Sequence, residues 1–180
     1  MVNVLMIILC ITVFTGCSSR KEVRERAFVQ AVAVETQRDG NLSVAVRVFD
    51  DEETYFGNGE DFFMALDDAQ QQQAKYFFTG HMEMLISSAE DNIKLLESLI
   101  KSNDIPPSCR FISGQRAMDI ISDADCDRLA GIIKIKSESG NALGKSIWNV
   151  LEELTDKGYA DTDLLNRQGV ISVARVSAKD

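Results

Sequence analysis

The chain is poor in the residues that carry most enzyme chemistry and most chain punctuation. Its 180 residues include 1 histidine, 1 tryptophan, 2 prolines and 4 cysteines. One imidazole is too few for a metal site built on several histidines, and any Ser-His-Asp or Cys-His arrangement must use His81. No Gly-x-Ser-x-Gly, P-loop or GxGxxG motif is present. With only 2 prolines and 11 glycines, there is little room for a long flexible linker. Positive charge is also scarce: 19 basic side chains stand against 28 acidic ones, a net charge of −9. Such a chain repels phosphate backbones, so nucleic acid is not expected as a partner. What remains is ordinary globular composition, 45% hydrophobic and 26% charged, at a length that suits one domain.

Only the N-terminus carries a long apolar run. Residues 1–16 contain no ionisable side chain, and residues 4–14 are nearly all apolar. That stretch is too short to span a bilayer as an ordinary helix and fits the apolar region of a secretion signal. The step Phe14-Thr15-Gly16-Cys17 resembles a bacterial lipobox. In that motif the cysteine receives a diacylglycerol on sulfur and becomes the new N-terminus after cleavage. The expected organisation is a lipoprotein signal peptide over 1–16, a juxtamembrane polar segment over 17–26 and one domain over 27–180, with Cys17 as the lipidation site. The competing reading is a buried N-terminal strand or helix with a chance cysteine. Residues 20–26 carry four basic and two acidic side chains. Beside anionic lipid each base gains about 1 kcal/mol; read alone, the segment is equally a solvated helix start.

Two further cysteines, Cys109 and Cys126, belong to the domain itself. Outside the cytoplasm they could pair across a loop of about 16 residues, worth roughly 3 kcal/mol on the chain-entropy model. The alternative is two buried free thiols. Neither lies in a zinc-like spacing.

Along the domain, residues 27–35 are apolar and β-rich, and residues 41–49 alternate apolar with polar. Asp39-Gly40 lies between them, so the domain is expected to open with an antiparallel hairpin. Asp50-Asp51-Glu52-Glu53 lacks the ligand spacing of an EF-hand and reads as a solvated loop. A helix is expected over about 60–75, capped at Asn58 or Gly59, with Phe62, Phe63, Leu66 and Ala69 inward. Residues 76–86 read as a strand entered through a Gly80-His81 turn, where the imidazole is a structural residue. Met82, Met84 and Ile86 should share one face of that strand. A second helix with Ile93, Leu96, Leu99 and Ile100 on one face ends before Pro106-Pro107. A strand over 108–113, helices over 115–121 and 123–135, a helix over 141–157 with Ile147, Trp148, Leu151 and Leu154 inward, and a strand over 169–176 complete the chain. This order implies an α+β (mixed α/β) fold, with a mixed sheet packed by several helices.

Several of these pieces resemble one family, the C subunits of spore germinant receptors (Ger(x)C lipoproteins). A lipobox cysteine, Cys17, is followed by Arg20-Lys21-Glu22-Val23 and then by Glu25-Arg26-Ala27-Phe28-Val29. Gly59 leads into Phe62-Phe63-Met64-Ala65-Leu66. Phe77-Phe78-Thr79-Gly80-His81 precedes the apolar step Met84-Leu85-Ile86, and residues 169–179 resemble the strand that ends the family's N-terminal region. The resemblance covers roughly residues 17–179. Full-length members carry a further C-terminal domain, so the chain corresponds to their N-terminal domain only.

The resemblance implies a non-enzymatic lipoprotein subunit without a cofactor, held by Cys17 on the extracytoplasmic face of a membrane. In a sporulating organism that is the spore inner membrane. Its implied partners are integral A-type and B-type receptor subunits. No catalytic or metal-binding residues carry over. A standalone extracytoplasmic ligand-binding lipoprotein is the alternative, and it calls for a concave pocket with convergent polar groups.

Overall fold

The structure, a computed structural model, describes residues 26–73, 76–123, 125–140, 142–166 and 171–178. In chain order the elements are β1 (Arg26–Thr36), β2 (Leu42–Val48), β3 (Thr54–Gly59), α1 (Phe62–Gln73), β4 (Tyr76–Phe78), β5 (Met84–Ser88) and α2 (Asn92–Ser102). Then come β6 (Arg110–Gly114), α3 (Ala117–Asp123), α4 (Cys126–Glu138), α5 (Ile147–Lys157), β7 (Tyr159–Leu165) and β8 (Ile171–Ser177). The strands form one mixed sheet in the order β3-β2-β1-β5-β6-β7-β8, with β4 pairing the first residues of β1. The centre (β1, β5, β6, β7) is parallel, and antiparallel strands close both edges. This is the mixed α and β architecture that the order of elements implies.

Strand alternation divides the interior into two layers. On β1 and β2 the valines Val32, Val34, Val44 and Val46 face one way, while Ala31, Ala33 and Ala45 face the other. The valine face is covered by α1, α2 and α5 through Phe62, Leu96, Leu99, Val150 and Leu154. The alanine face is covered by α3 and α4 through Ile120, Ile121, Leu129 and Ile133.

The hairpin forms at Asp39-Gly40 as expected, with Gly40 at φ +88°. Other elements depart from the sequence reading for local reasons. The helix α1 begins later than expected, because Asp61 rather than Asn58 or Gly59 accepts the Met64 N–H at 2.8 Å. The expected strand over 76–86 is two short ones, β4 and β5, on the same edge of β1. Between them the chain turns, with the Met82 N–H on the Thr79 carbonyl. Met82 therefore packs in the valine layer and Met84 in the alanine layer. The helix α5 starts at Ile147, where Ser146 and Asn149 form a capping box. Ile147, Val150 and Leu154 point inward, and Trp148, expected inward, is 52% exposed.

Two strands were not anticipated. In β3, Gly57 and Gly59 let the backbone of α1 approach. A Cβ on Gly57 would stand 2.1 Å from the Ala65 carbonyl oxygen. In β7, the buried Asp163 carboxylate accepts the Leu143 and Gly144 N–H groups at 2.9 and 2.7 Å. Thr162, also buried, bonds Ser113 at 2.6 Å.

Candidate functional site

The alanine face does not close over the end of the sheet where β1 begins. There α4 crosses above the first residues of β5 and β6 and leaves a cavity of about 530 Å3. Its helical wall is Asp127, Ala130, Gly131 and Lys134, spaced i, i+3, i+4, i+7 on one face of α4. The two small residues in the middle of that stripe account for the space. Gly131 is mid-helix, and a Cβ placed on it meets no atom within 4 Å. Glycine in a helix interior costs about 1 kcal/mol relative to alanine, so the chain forgoes stability at a position where a side chain has room.

A β-bulge on β1 supplies the amide that ties two of the lining carboxylates together. Pairing with β2 slips between Val29 and Ala31, which leaves Gln30 as the extra residue. Buried Gln30 donates through Nε2 to Asp127 Oδ1 at 2.6 Å and to Glu83 Oε2 at 3.3 Å. One amide thus fixes two carboxylates from different elements. Arg110, which opens β6, and Lys134 line the same cavity. Neither forms an ion pair with any described residue. His81 stands at the rim, its ring 5.9 Å from Phe28 and 5.5 Å from Phe78.

Asp127 also borders a second cavity of about 690 Å3. Asp50, Asp51 and Glu52 line it together with Asp123 and Asp125, so the acidic run after β2 meets a second acidic group around the start of α4. The run is a loop, as expected, but an organised one. Asp51 accepts the Glu53 N–H at 3.0 Å and the Tyr55 hydroxyl, while Asp50 takes φ +60°. Burial and the bond to Asp51 push the Tyr55 hydroxyl up to about 12. Arg47 also lines the cavity and donates to the Glu52 carbonyl. Among the described residues, no three His, Cys, Asp or Glu side chains come together in a metal-binding group.

Of the residues singled out by sequence, Cys17 lies outside the described residues. Cys109 and Cys126 are free thiols in the structure rather than a disulfide. Cys109 belongs to the valine layer and Cys126 to the alanine layer, so the sheet separates them. Burial and the nearby Glu83 push the Cys109 thiol well above its usual range. Burial pushes Cys126 up to about 11, and the neighbouring Arg47 opposes that shift. His81 packs against the rings of Phe28 and Phe78. Sequence reading missed the cavity residues Gln30, Glu83, Arg110, Asp127 and Lys134. The one local signal was the small-residue stripe on α4.

The described residues assemble two polar cavities at one end of a three-layered domain. The sequence profile of one family, the spore germination protein N-terminal domain, matches residues 19–164. The chain therefore belongs to the family of spore germination protein N-terminal domains, as its resemblance to germinant receptor C subunits implied. No curated protein and no solved structure matches it. The match ends inside β7, yet β8 pairs with β7 along its whole length and completes the sheet.

Proposed function

We propose that the protein is a membrane-anchored lipoprotein, the C component of a spore germinant receptor, and acts by assembling with integral A-type and B-type subunits rather than by catalysis. The observation that carries this reading is the family match over 19–164, which begins two residues after the lipobox cysteine Cys17. In this reading residues 1–16 are the signal peptide, 17–26 the juxtamembrane segment, and the described domain the part that meets the partners. Among the described residues no helix is long and apolar enough to cross a membrane; in this reading the anchor is the lipid on Cys17.

The physical role of such an anchor is confinement. A diacylglycerol supplies two acyl chains, enough for stable attachment. Confinement raises the effective concentration of the domain near integral partners, so a modest interface suffices. Ile135, Leu143 and Val173 support an interface of this kind. They are 67, 41 and 60% exposed on segments that meet around Asp163. Leu143 N–H bonds Asp163, Val173 pairs with it in register, and the Lys136 carbonyl accepts the Ala142 N–H. The 530 Å3 cavity favours a second reading, a ligand-binding lipoprotein acting alone.

Metabolic labelling with an alkyne fatty acid, compared between wild type and Cys17→Ala, tests the anchor. Label lost in the variant supports it, and label absent from both overturns it. Co-purification of the wild-type chain from membranes then separates the readings. Recovery with integral receptor subunits supports the receptor component, and recovery without them supports the solitary lipoprotein.

A further inference from the structure

The cavity beneath α4 holds charges of both signs that do not neutralise one another. Arg110 and Lys134 supply two cations, Glu83 and Asp127 two carboxylates, and no ion pair joins them within 4.0 Å. The carboxylates are fixed by Gln30. Flexible Lys134 stands two helical turns along the stripe from Asp127. A purely anionic ligand would meet the carboxylates, and a purely cationic one the guanidinium and ammonium. A ligand with both charges satisfies all four groups at once. Pro106 and Ala130, both half-buried in the lining, offer apolar surface for a short carbon frame between the charges. The open space at Gly131 gives that frame its room.

We propose that this cavity binds a small zwitterion, an ammonium and an oxyanion on one short frame. The ammonium lies against Glu83 and Asp127, and the oxyanion against Arg110 and Lys134. Such chemistry has two sources: a free zwitterion in solution, or the headgroup of an aminophospholipid. Neither the cavity nor its charges depend on the lipid anchor. Only the second source gains from it, because the cavity lies at the end of the sheet where β1 enters from the Cys17 side.

The test uses the full chain carrying Cys17→Ala, so that no acyl chain contributes to binding. Titration with phosphoethanolamine is expected to give saturable binding. Phosphocholine, whose quaternary ammonium has no N–H to donate, should bind roughly tenfold more weakly, and Lys134→Gln should weaken phosphoethanolamine by a similar factor. Gly131→Leu, which fills the cavity from a helical position with open space, should remove binding while leaving the melting temperature at or above wild type. Lys134 is exposed, so its substitution reports on the site without threatening the fold. Absence of saturable binding at millimolar phosphoethanolamine overturns the proposal. So does undiminished binding by folded Gly131→Leu, or equally tight binding of glycerol phosphate, which lacks the ammonium. Vesicles of phosphatidylcholine with and without phosphatidylethanolamine then distinguish the sources. Sedimentation only with the ethanolamine lipid supports a headgroup, and free phosphoethanolamine binding without it supports a soluble zwitterion. Fatty-acid labelling at Cys17 can succeed or fail independently of either result.

Discussion

The two faces of the sheet are built differently from the same strands. The valine face carries branched side chains from β1 and β2 and is sealed by three helices with aromatic and leucine contacts. The alanine face carries alanines from those strands and is covered by the short helix α3 and by α4. Both polar cavities open on the alanine side, around α4. One face concentrates burial, and the other keeps space, charge and a mid-helix glycine. Close packing and open polar space thereby fall on opposite sides of one sheet.

Substitutions of similar size should therefore differ in magnitude, and even in sign, between the faces. The largest loss is expected from Leu96→Ala on the valine side. Leu96 is fully buried, and deleting it should cost about 2–5 kcal/mol, read from the urea midpoint. Gly57→Ala comes next. Its new Cβ would collide with the backbone of α1 at Ala65 and Ala69, costing about 3 kcal/mol and lowering the melting temperature. Gly131→Ala, the same chemical change on the alanine side, should instead stabilise by about 0.5–1 kcal/mol. A loss there would break the comparison, because it would mean that the space under α4 is not free.

The smallest effect is electrostatic. A bond from Lys145 at 2.6 Å holds the Glu153 carboxyl below its ordinary value of 4.5, with Lys157 adding to the effect and burial opposing it. A carboxyl depressed in the folded state stabilises above its unfolded value and loses that contribution as pH falls through the folded one. Glu153→Gln should accordingly cost less than about 1 kcal/mol at pH 7. The gap between the two proteins should close as the pH falls below about 4.5. A gap that persists at pH 2 would assign the loss to packing rather than charge.

Legibility in the sequence follows the same division. Where one face is buried and apolar, the pattern could be read directly. The hairpin showed itself through Asp39-Gly40 and valine alternation, and α2 through its leucine stripe. The chain became opaque where burial is not apolar. The strand β7 carries two aspartates, and its buried Asp163 and Thr162 are satisfied by partners distant in sequence. The strand β3 contains two glycines that serve a helix not yet formed when the strand is read. Trp148 falls next to the apolar stripe of Ile147, Leu151 and Leu154 in the sequence, but the buried arc is centred on Ile147, Val150 and Leu154 and leaves it outside. The family resemblance rested on the order of short motifs, which survives such errors of phase. The cavity was hidden because its charges come from a turn, a strand start and a helix, and only Asp127 and Lys134, on one face of α4, lie near each other in the sequence.

The position of β1 also sets a timetable. It is the first described strand to be made, yet it lies inside the sheet, with β2 on one edge and β4 and β5 on the other. The hairpin partner follows within a few residues, whereas β5 is complete only about 50 residues later. At about 5–20 residues per second, that interval lasts roughly 3–10 s. Throughout it a nascent hairpin carries an unpaired edge of alanines and valines that can pair with another chain. Any cell that makes this domain must keep its nascent copies apart, or unfolded, until the second half of the sheet arrives.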